Sequence, residues 1–327
     1  MGEEIKYISK IEIKGLWGKH DLEWNLHPDV NVLSGINGSG KSTILNCTSK
    51  LIRNAGLLNE GQIDNIGKSI SNCKISFGSK KFLSFSFTKL NESGAEKYTN
   101  PIDTFLYYGK NYSFYVVEKL SSKDIAFFPM VDFICTFDNE FKPEEAINKI
   151  TDDNAKTELD WQIYHLQKKY LKYKLSTAQK TIEAINNSIS NGELLKIQAN
   201  QNRFSDILDT LFEETNKKLN RKEDEISFLL GDEKISPYQL SSGEKQLLVI
   251  LLTVLVQDNK NAILFMDEPE LSLHFDWQKK LIGYIRELNP NVQIILATHA
   301  PAIIREGWMD KVSNISDLIQ KGTKILN

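Results

Sequence analysis

Apolar and polar residues alternate from the start of the chain. Within Ile5 to Ser34 the segments IKYISKIEIKGL, LEWNL and VNVLSG carry the two-residue period of strands. A helix is predicted from about Ser42 to Arg53. Residues 74 to 137 hold further β-rich runs, ISFG, KFLSFSFTKL, FLYYG, YSFYVVEKL and VDFICTF, broken by Gly, Asn and Pro. These read as an antiparallel β-subdomain.

After Pro143 the period lengthens to that of helices. Leu159, Ile163, Leu166, Tyr170 and Tyr173 follow the 4-3-4-3 spacing of a coiled-coil seam, and Asn191-Gly192 breaks the run before a second helical stretch. The spacing suits either a coil or a helical insertion packed on the core, and the insertion is the favoured reading because a coil should sustain more heptads. From Leu240 the chain reads as a helix from Glu244 to about Val256, a strand AILFMD, a helix beginning near Phe275 and a strand VQIILATH. Strands alternating with helices pair in parallel. The expected protein is therefore α/β: an N-terminal lobe over residues 1–142, a helical insertion over 143–234 and a C-terminal lobe over 235–327, sharing a mostly parallel core sheet.

Chemistry enters between the third strand and the first helix, at GINGSGKST. The spacing Gly35-x-x-x-x-Gly40-Lys41-Ser42 is that of a phosphate-binding loop. Glycines let successive backbone N–H groups converge on an anion, and the following helix adds the positive end of its dipole. Gly35, Asn37, Gly38, Ser39, Gly40, Lys41, Ser42 and Thr43 are the candidate nucleotide contacts, with Lys41 reaching the outer phosphates and Ser42 offering a hydroxyl to Mg²⁺.

Two further stretches belong with that loop. The apolar strand at Ala262 to Met266 closes in Asp267-Glu268, at the strand end where ligands bind in open α/β sheets. Asp267 is the second candidate for Mg²⁺, and Glu268 the group that orients and deprotonates an attacking water. In LSSGEKQ, Leu240 to Gln246, hydroxyls and N–H groups gather at a helix N-terminus, making a second anion site. One triphosphate in one copy already has its cradle.

Composition narrows the setting. A net charge of −3 provides no global basic field, which argues against a protein whose whole surface tracks nucleic acid. The basic aromatic stretch QKKYLKYK, Gln167 to Lys174, leaves a local DNA contact open beside the alternative of a solvated helix face. Cys47, Cys73 and Cys135 lack metal-ligand spacing and read as reduced core thiols. The longest apolar run, Leu247 to Val256, falls well short of the roughly 18 residues of a membrane helix, and MGEEIKYISK has no signal core, so a cytoplasmic location with no membrane partner is expected.

The order of phosphate loop, LSSGE, ILFMDE and ATH resembles the ABC-type ATPases, over roughly residues 5 to 145 and 235 to 315. The motifs GINGSGKS, ISKIEIKGL and DEPELSLH, with Glu268, Pro269, Glu270 and His274, resemble the branch holding SMC, RecF and the overcoming-lysogenization-defect (OLD-type) ATPases. The resemblance implies an ATP- and Mg²⁺-dependent ATPase whose copies pair head to tail. Ser241, Ser242, Gly243 and Glu244 would then cap the nucleotide of the mate, and His299 would sense the γ-phosphate.

Two departures stand out. The stretch DFICTFDNE lacks the family's glutamine, leaving either Thr136 or Asp138 as a substitute or a loop wired differently, and Trp17 is either the adenine platform or a core residue. Only 28 residues follow His299, fewer than an OLD nuclease domain needs, so a separate effector protein is expected. The resulting picture is a soluble ATPase resembling subunits of anti-phage systems such as Septu and PARIS. A DNA repair or recombination ATPase is the alternative, ahead of a transporter subunit.

Overall fold

The computed structural model describes residues 5–53, 59–79, 81–89, 104–108, 112–118, 128–135, 156–187 and 191–320. Its centre is a sheet of β3 (Val30–Ser34), β8 (Met130–Cys135), β12 (Ala262–Asp267), β13 (Val292–Ala297) and β14 (Val312–Asn314). The order is β14–β3–β13–β12–β8, and every pairing is parallel.

Both central strands, AILFMD and VQIILA, are buried at every position, as parallel strands covered on both faces must be. Alternate side chains supply two separate cores. Ala262, Leu264, Met266, Val292, Ile294 and Leu296 face one side, where they meet α3 (Glu158–Asn186), α4 (Asn191–Leu211), α5 (Ser242–Leu255) and α6 (Phe275–Leu288). Ile263, Phe265, Ile295 and Ala297 face the other, in a core shared with α1 (Lys41–Arg53), α2 (Glu60–Ser69) and an antiparallel sheet. That second sheet comprises β1 (Ile8–Leu16), β2 (His20–Asn25), β4 (Asn72–Phe77), β5 (Phe82–Lys89), β6 (Thr104–Tyr108) and β7 (Tyr112–Glu118), in the order β2–β1–β4–β5–β7–β6.

One run was placed in the wrong sheet by its pattern. VDFICTF does not join the antiparallel subdomain: β8 runs parallel to β12 at the rim of the central sheet, Phe133 opposite Phe265. As an edge strand with only Ile134 and Cys135 buried, it has the half-polar look of an antiparallel strand. In exchange, β1 and β2 supply one end of the antiparallel sheet.

The seam residues Ile163, Leu166, Tyr170 and Tyr173 are buried in the core shared with α5, so this part of α3 packs on the sheet layers and is not a free coil. The end of the expected helical insertion, residues 217–234, instead enters a small sheet of β9 (Lys217–Leu219), β10 (Phe228–Leu230) and β11 (Glu233–Ile235). Strands of three residues are too short to show a period.

From Leu247 onward helix α5 is nearly all apolar, because it is sandwiched between the sheet and the insertion: Leu247 to Leu255 are all buried. Each fully buried Leu, Ile or Val contributes about 2 kcal/mol, so this helix, and the LSSGE turn at its start, is firmly anchored. Among the described residues no helix is long and apolar enough to cross a membrane.

Candidate functional site

The register of the central sheet brings the expected residues level. Asp267 ends β12 opposite Ala297 of β13 and Cys135 of β8, and Ala297 lies opposite Leu33 of β3. The loops leaving these carboxyl ends converge, as ligand-binding loops of open parallel sheets do. They surround a cleft of about 330 Å³ lined by Trp17, Asn37, Gly38, Gly40, Lys41, Ser42, Thr43, Cys135, Asp267 and Glu268.

Lys41 begins α1, and its side chain folds back over the loop. The ammonium donates to the carbonyls of Gly35 (3.1 Å) and Ile36 (3.2 Å) and lies 2.6 Å from His299 Nε2. Burial pulls its pKa below the ordinary lysine value, while Glu268, Asp267 and Glu270 pull it back up. A lysine has no acceptor, so toward Lys41 the histidine nitrogen must accept. The same Nε2 lies 3.3 Å from Glu268 Oε1, which places the imidazole between a cation and the candidate base.

Gly35 and Ser39 do not line this cleft. Gly35 supports the lysine through its carbonyl and faces a second cavity of about 410 Å³, which Thr298, His299 and Arg305 also line. Gly40 has φ +104°, and a Cβ there would come within 2.9 Å of the Trp17 ring. Trp17 is therefore no core residue: 41% exposed, with φ +51°, it forms a wall beside the loop. The cleft fits a phosphate chain with Mg²⁺, since one carboxylate (Asp267) and one hydroxyl (Ser42) are the hard oxygen donors that ion takes when phosphate and water complete its shell.

None of Ser241, Ser242, Gly243 or Glu244 lines the cleft. Ser241 caps α5, accepting from the Glu244 N–H, while Glu244 Oε2 accepts from the Ser241 N–H and hydroxyl (both 2.9 Å). Ser241 and Ser242 are exposed. Gly243 is pressed against the loop after β12: a Cβ there would lie 2.3 Å from the Ser272 carbonyl oxygen.

Glu244 departs from its expected role. Its carboxylate turns inward, 1% exposed, and takes hydrogen bonds from Lys217 (2.8 Å) and Thr215 (2.9 Å), so it braces the turn and does not face a nucleotide. Burial raises its carboxyl pKa, but Lys217, the Ser241 N–H and Thr215 together hold it below the ordinary value. The next residue, Lys245, pairs with Asp160 of α3 at 2.8 Å, both largely buried. Neither Lys217 nor Asp160 announced itself in the sequence, where each is one charge in a charged stretch.

The basic stretch is also rearranged. Tyr170 and Tyr173 are buried, so they cannot stack on bases, and Lys174 is engaged by Asp224 (2.8 Å) and the Glu223 carbonyl (3.1 Å). Lys168, Lys169 and Lys172 remain exposed. His274 sits exposed at the start of α6, 3.9 Å from Asp276. Cys47, Cys73 and Cys135 are buried thiols outside any disulfide, and burial pushes the Cys47 thiol up to about 12. Thr136 and Asp138 lie outside the described residues.

A phosphate loop, an acidic strand end and a histidine gathered at one edge of a parallel sheet define a P-loop ATPase head. The chain belongs to the family described as an AAA domain, putative AbiEii toxin, Type IV TA system, which matches residues 30–305. It is 24% identical to the Retron Vc95 probable ATPase of Vibrio cholerae serotype O1 biovar El Tor, covering 89% of this chain and 69% of that protein. It is 25% identical to the Septu protein PtuA of Bacillus thuringiensis, covering 93% and 74%. The same fold is seen in the SMC head bound to the C-terminal winged-helix domain of ScpA, with TM-score 0.50 and 16% identity over 92% of this chain and 91% of that one.

Proposed function

We propose that the protein hydrolyses ATP between two copies arranged head to tail, and that the nucleotide state of this pair controls a separate effector in anti-phage defence. The observation that carries the reading is the split of the two anion-seeking helix ends. The cleft holds the N-terminus of α1 with Lys41, Asp267 and Glu268, whereas Ser241 and Ser242 stand exposed at the N-terminus of α5, outside it. A second copy is the simplest source of an anion for that outer turn. The retron and Septu relatives support the defence setting.

Each side chain then has a task. On nucleotide entry Lys41 exchanges the Gly35 and Ile36 carbonyls for phosphate oxygens, a better partner for a buried cation. Glu268 accepts a proton from the attacking water, and His299, freed from Lys41 and with its ring proton moved from Nδ1 to Nε2 by tautomer exchange, can donate through Nε2 to the developing charge. Mg²⁺ held by Ser42 and Asp267 would neutralise charge on the phosphates. Trp17 offers an aromatic face for the base.

Light scattering with ATP tests the pairing. Glu268→Gln, which binds but cannot deprotonate water, should double in mass, and Lys41→Ala should stay monomeric. An unchanged mass for Glu268→Gln with and without ATP would refute the shared site.

A further inference from the structure

The residue two places beyond the candidate base has no role in the reaction as described. Glu270 is only 7% exposed, yet its carboxylate does not line the cleft and reaches Lys41 only as a charge, without an ion pair to it. Its Oε1 accepts from the Thr298 hydroxyl, from the His299 N–H (3.1 Å) and from the Ala300 N–H (3.3 Å). The other oxygen, Oε2, is buried with no hydrogen-bond partner. Burial pushes this carboxyl above the usual range, against the pull of its Thr298 and backbone partners.

Burying a carboxylate costs several kcal/mol unless its bonds are returned, and a short loop is normally held by cheaper means. Here every long-range bond is spent on three consecutive residues that carry the histidine. The Thr298 hydroxyl in turn accepts the Ala300 N–H at 2.9 Å, which closes a turn around the backbone of His299. The two loops are tied a second time where the Glu268 N–H donates to the Ala297 carbonyl at 2.9 Å.

We propose that Glu270 is the positioning residue for His299, fixing the turn from Thr298 to Ala300 so that the imidazole reaches between Lys41 and Glu268. The assignment rests on the ATPase reading above for its catalytic consequence, but the geometric claim stands apart from it. The same loop carries Ser272, whose carbonyl abuts Gly243. A mate docking on that surface therefore presses on the segment that holds the histidine.

The test uses the full chain as Glu270→Ala, Glu270→Gln, His299→Ala and the Glu270→Ala/His299→Ala double variant. Glu270→Ala should lower kcat by on the order of a hundredfold, as misplacement of a reacting group does, while ATP affinity changes by less than about threefold. Glu270→Gln keeps an acceptor oxygen and should recover most of the rate. In the double variant the loss should equal that of His299→Ala alone, because both changes remove the same contribution. A loss in Glu270→Ala that adds in full to that of His299→Ala would overturn the assignment, as would no loss where His299→Ala is slow.

A second readout does not depend on turnover. The chain has five histidines, and the ¹⁵N ring signals of His299, assigned by their absence in His299→Ala, should move in Glu270→Ala and stay in place in Glu270→Gln. An unmoved His299 signal in Glu270→Ala sinks the positioning role. If instead His299→Ala hydrolyses ATP at the native rate while its signal does move in Glu270→Ala, the positioning holds and the catalytic reading of His299 fails. Should Glu270→Ala not fold, Thr298→Val removes one of the three donors and should shift the same signal in the same direction.

Discussion

Two residues at the cleft have backbones that side chains rarely adopt: Trp17 at φ +51° and Glu268 at φ +46°. An L-residue in that left-handed region loses about 1–2 kcal/mol to its own Cβ, so both conformations are held by their surroundings. The Trp17 N–H is fixed by the Ser69 carbonyl at 2.7 Å, which stands the ring against the loop. Glu268→Gly should melt higher than Glu268→Ala, by about 1 kcal/mol in chemical denaturation, since glycine relieves the strain that alanine keeps. Equal stabilities would mean that position 268 carries no strain. At Trp17 the removal of an aromatic platform costs roughly 1–3 kcal/mol per stacked base, so Trp17→Ala should weaken ATP binding by about tenfold in titration calorimetry while triphosphate alone binds as before.

At the scale of elements, the turn before α5 is clamped by consecutive residues of opposite charge reaching into the insertion. Glu244 pairs with Lys217 on β9, and Lys245 with Asp160 at the start of α3. Removing one partner of a buried pair strands the other, so Glu244→Ala should cost roughly 3 kcal/mol. Because the folded Glu244 carboxyl ionises below its ordinary value of 4.5, its stabilisation is complete above that pH and is lost as acid protonates the folded carboxylate. The gap in melting temperature between the native chain and Glu244→Gln should therefore be widest near neutral pH and narrow below pH 4.5. A gap that widened in acid would contradict the pairing.

This clamp also marks where the sequence stops being readable. The phosphate loop, the acidic end of β12 and the ATH turn were legible because their chemistry requires fixed residue types at fixed spacing. So were β12, β13, α5 and α6, through length and pattern. Lys217 and Asp160 were not, and of Glu270 only its place in the DEPELSLH motif was: each acts through a contact distant in sequence, and a charge carries no sign of burial. The placement of β8 failed for a related reason, since alternation reports a face and not a neighbour.

Among the described residues, exposed apolar side chains occur along α3, at Leu175, Ile182 and Ile185, and also near the site. Ile36 in the phosphate loop is 81% exposed, and Phe275 at the start of α6 is 53% exposed, with Leu271 and Met309 also open. Scattered surface apolar groups are ordinary, but these border the two surfaces that a head-to-tail pair would bring together. Leu271→Asp/Phe275→Asp in the Glu268→Gln background should abolish the ATP-induced doubling of mass and leave nucleotide affinity within about twofold, since neither residue lines the cleft. Doubling that survived both charges would move the pairing surface elsewhere.

The central strands hold a further consequence. β12 and β13 have a neighbour on each edge and a core on each face; β12 ends in Asp267, and β13 runs straight into Thr298. Their amides belong to the part of the molecule that opens last to solvent hydrogen exchange. Heat cannot then silence the nucleotide cleft by loosening it alone: the strand ends that form it should let go only when the entire domain does.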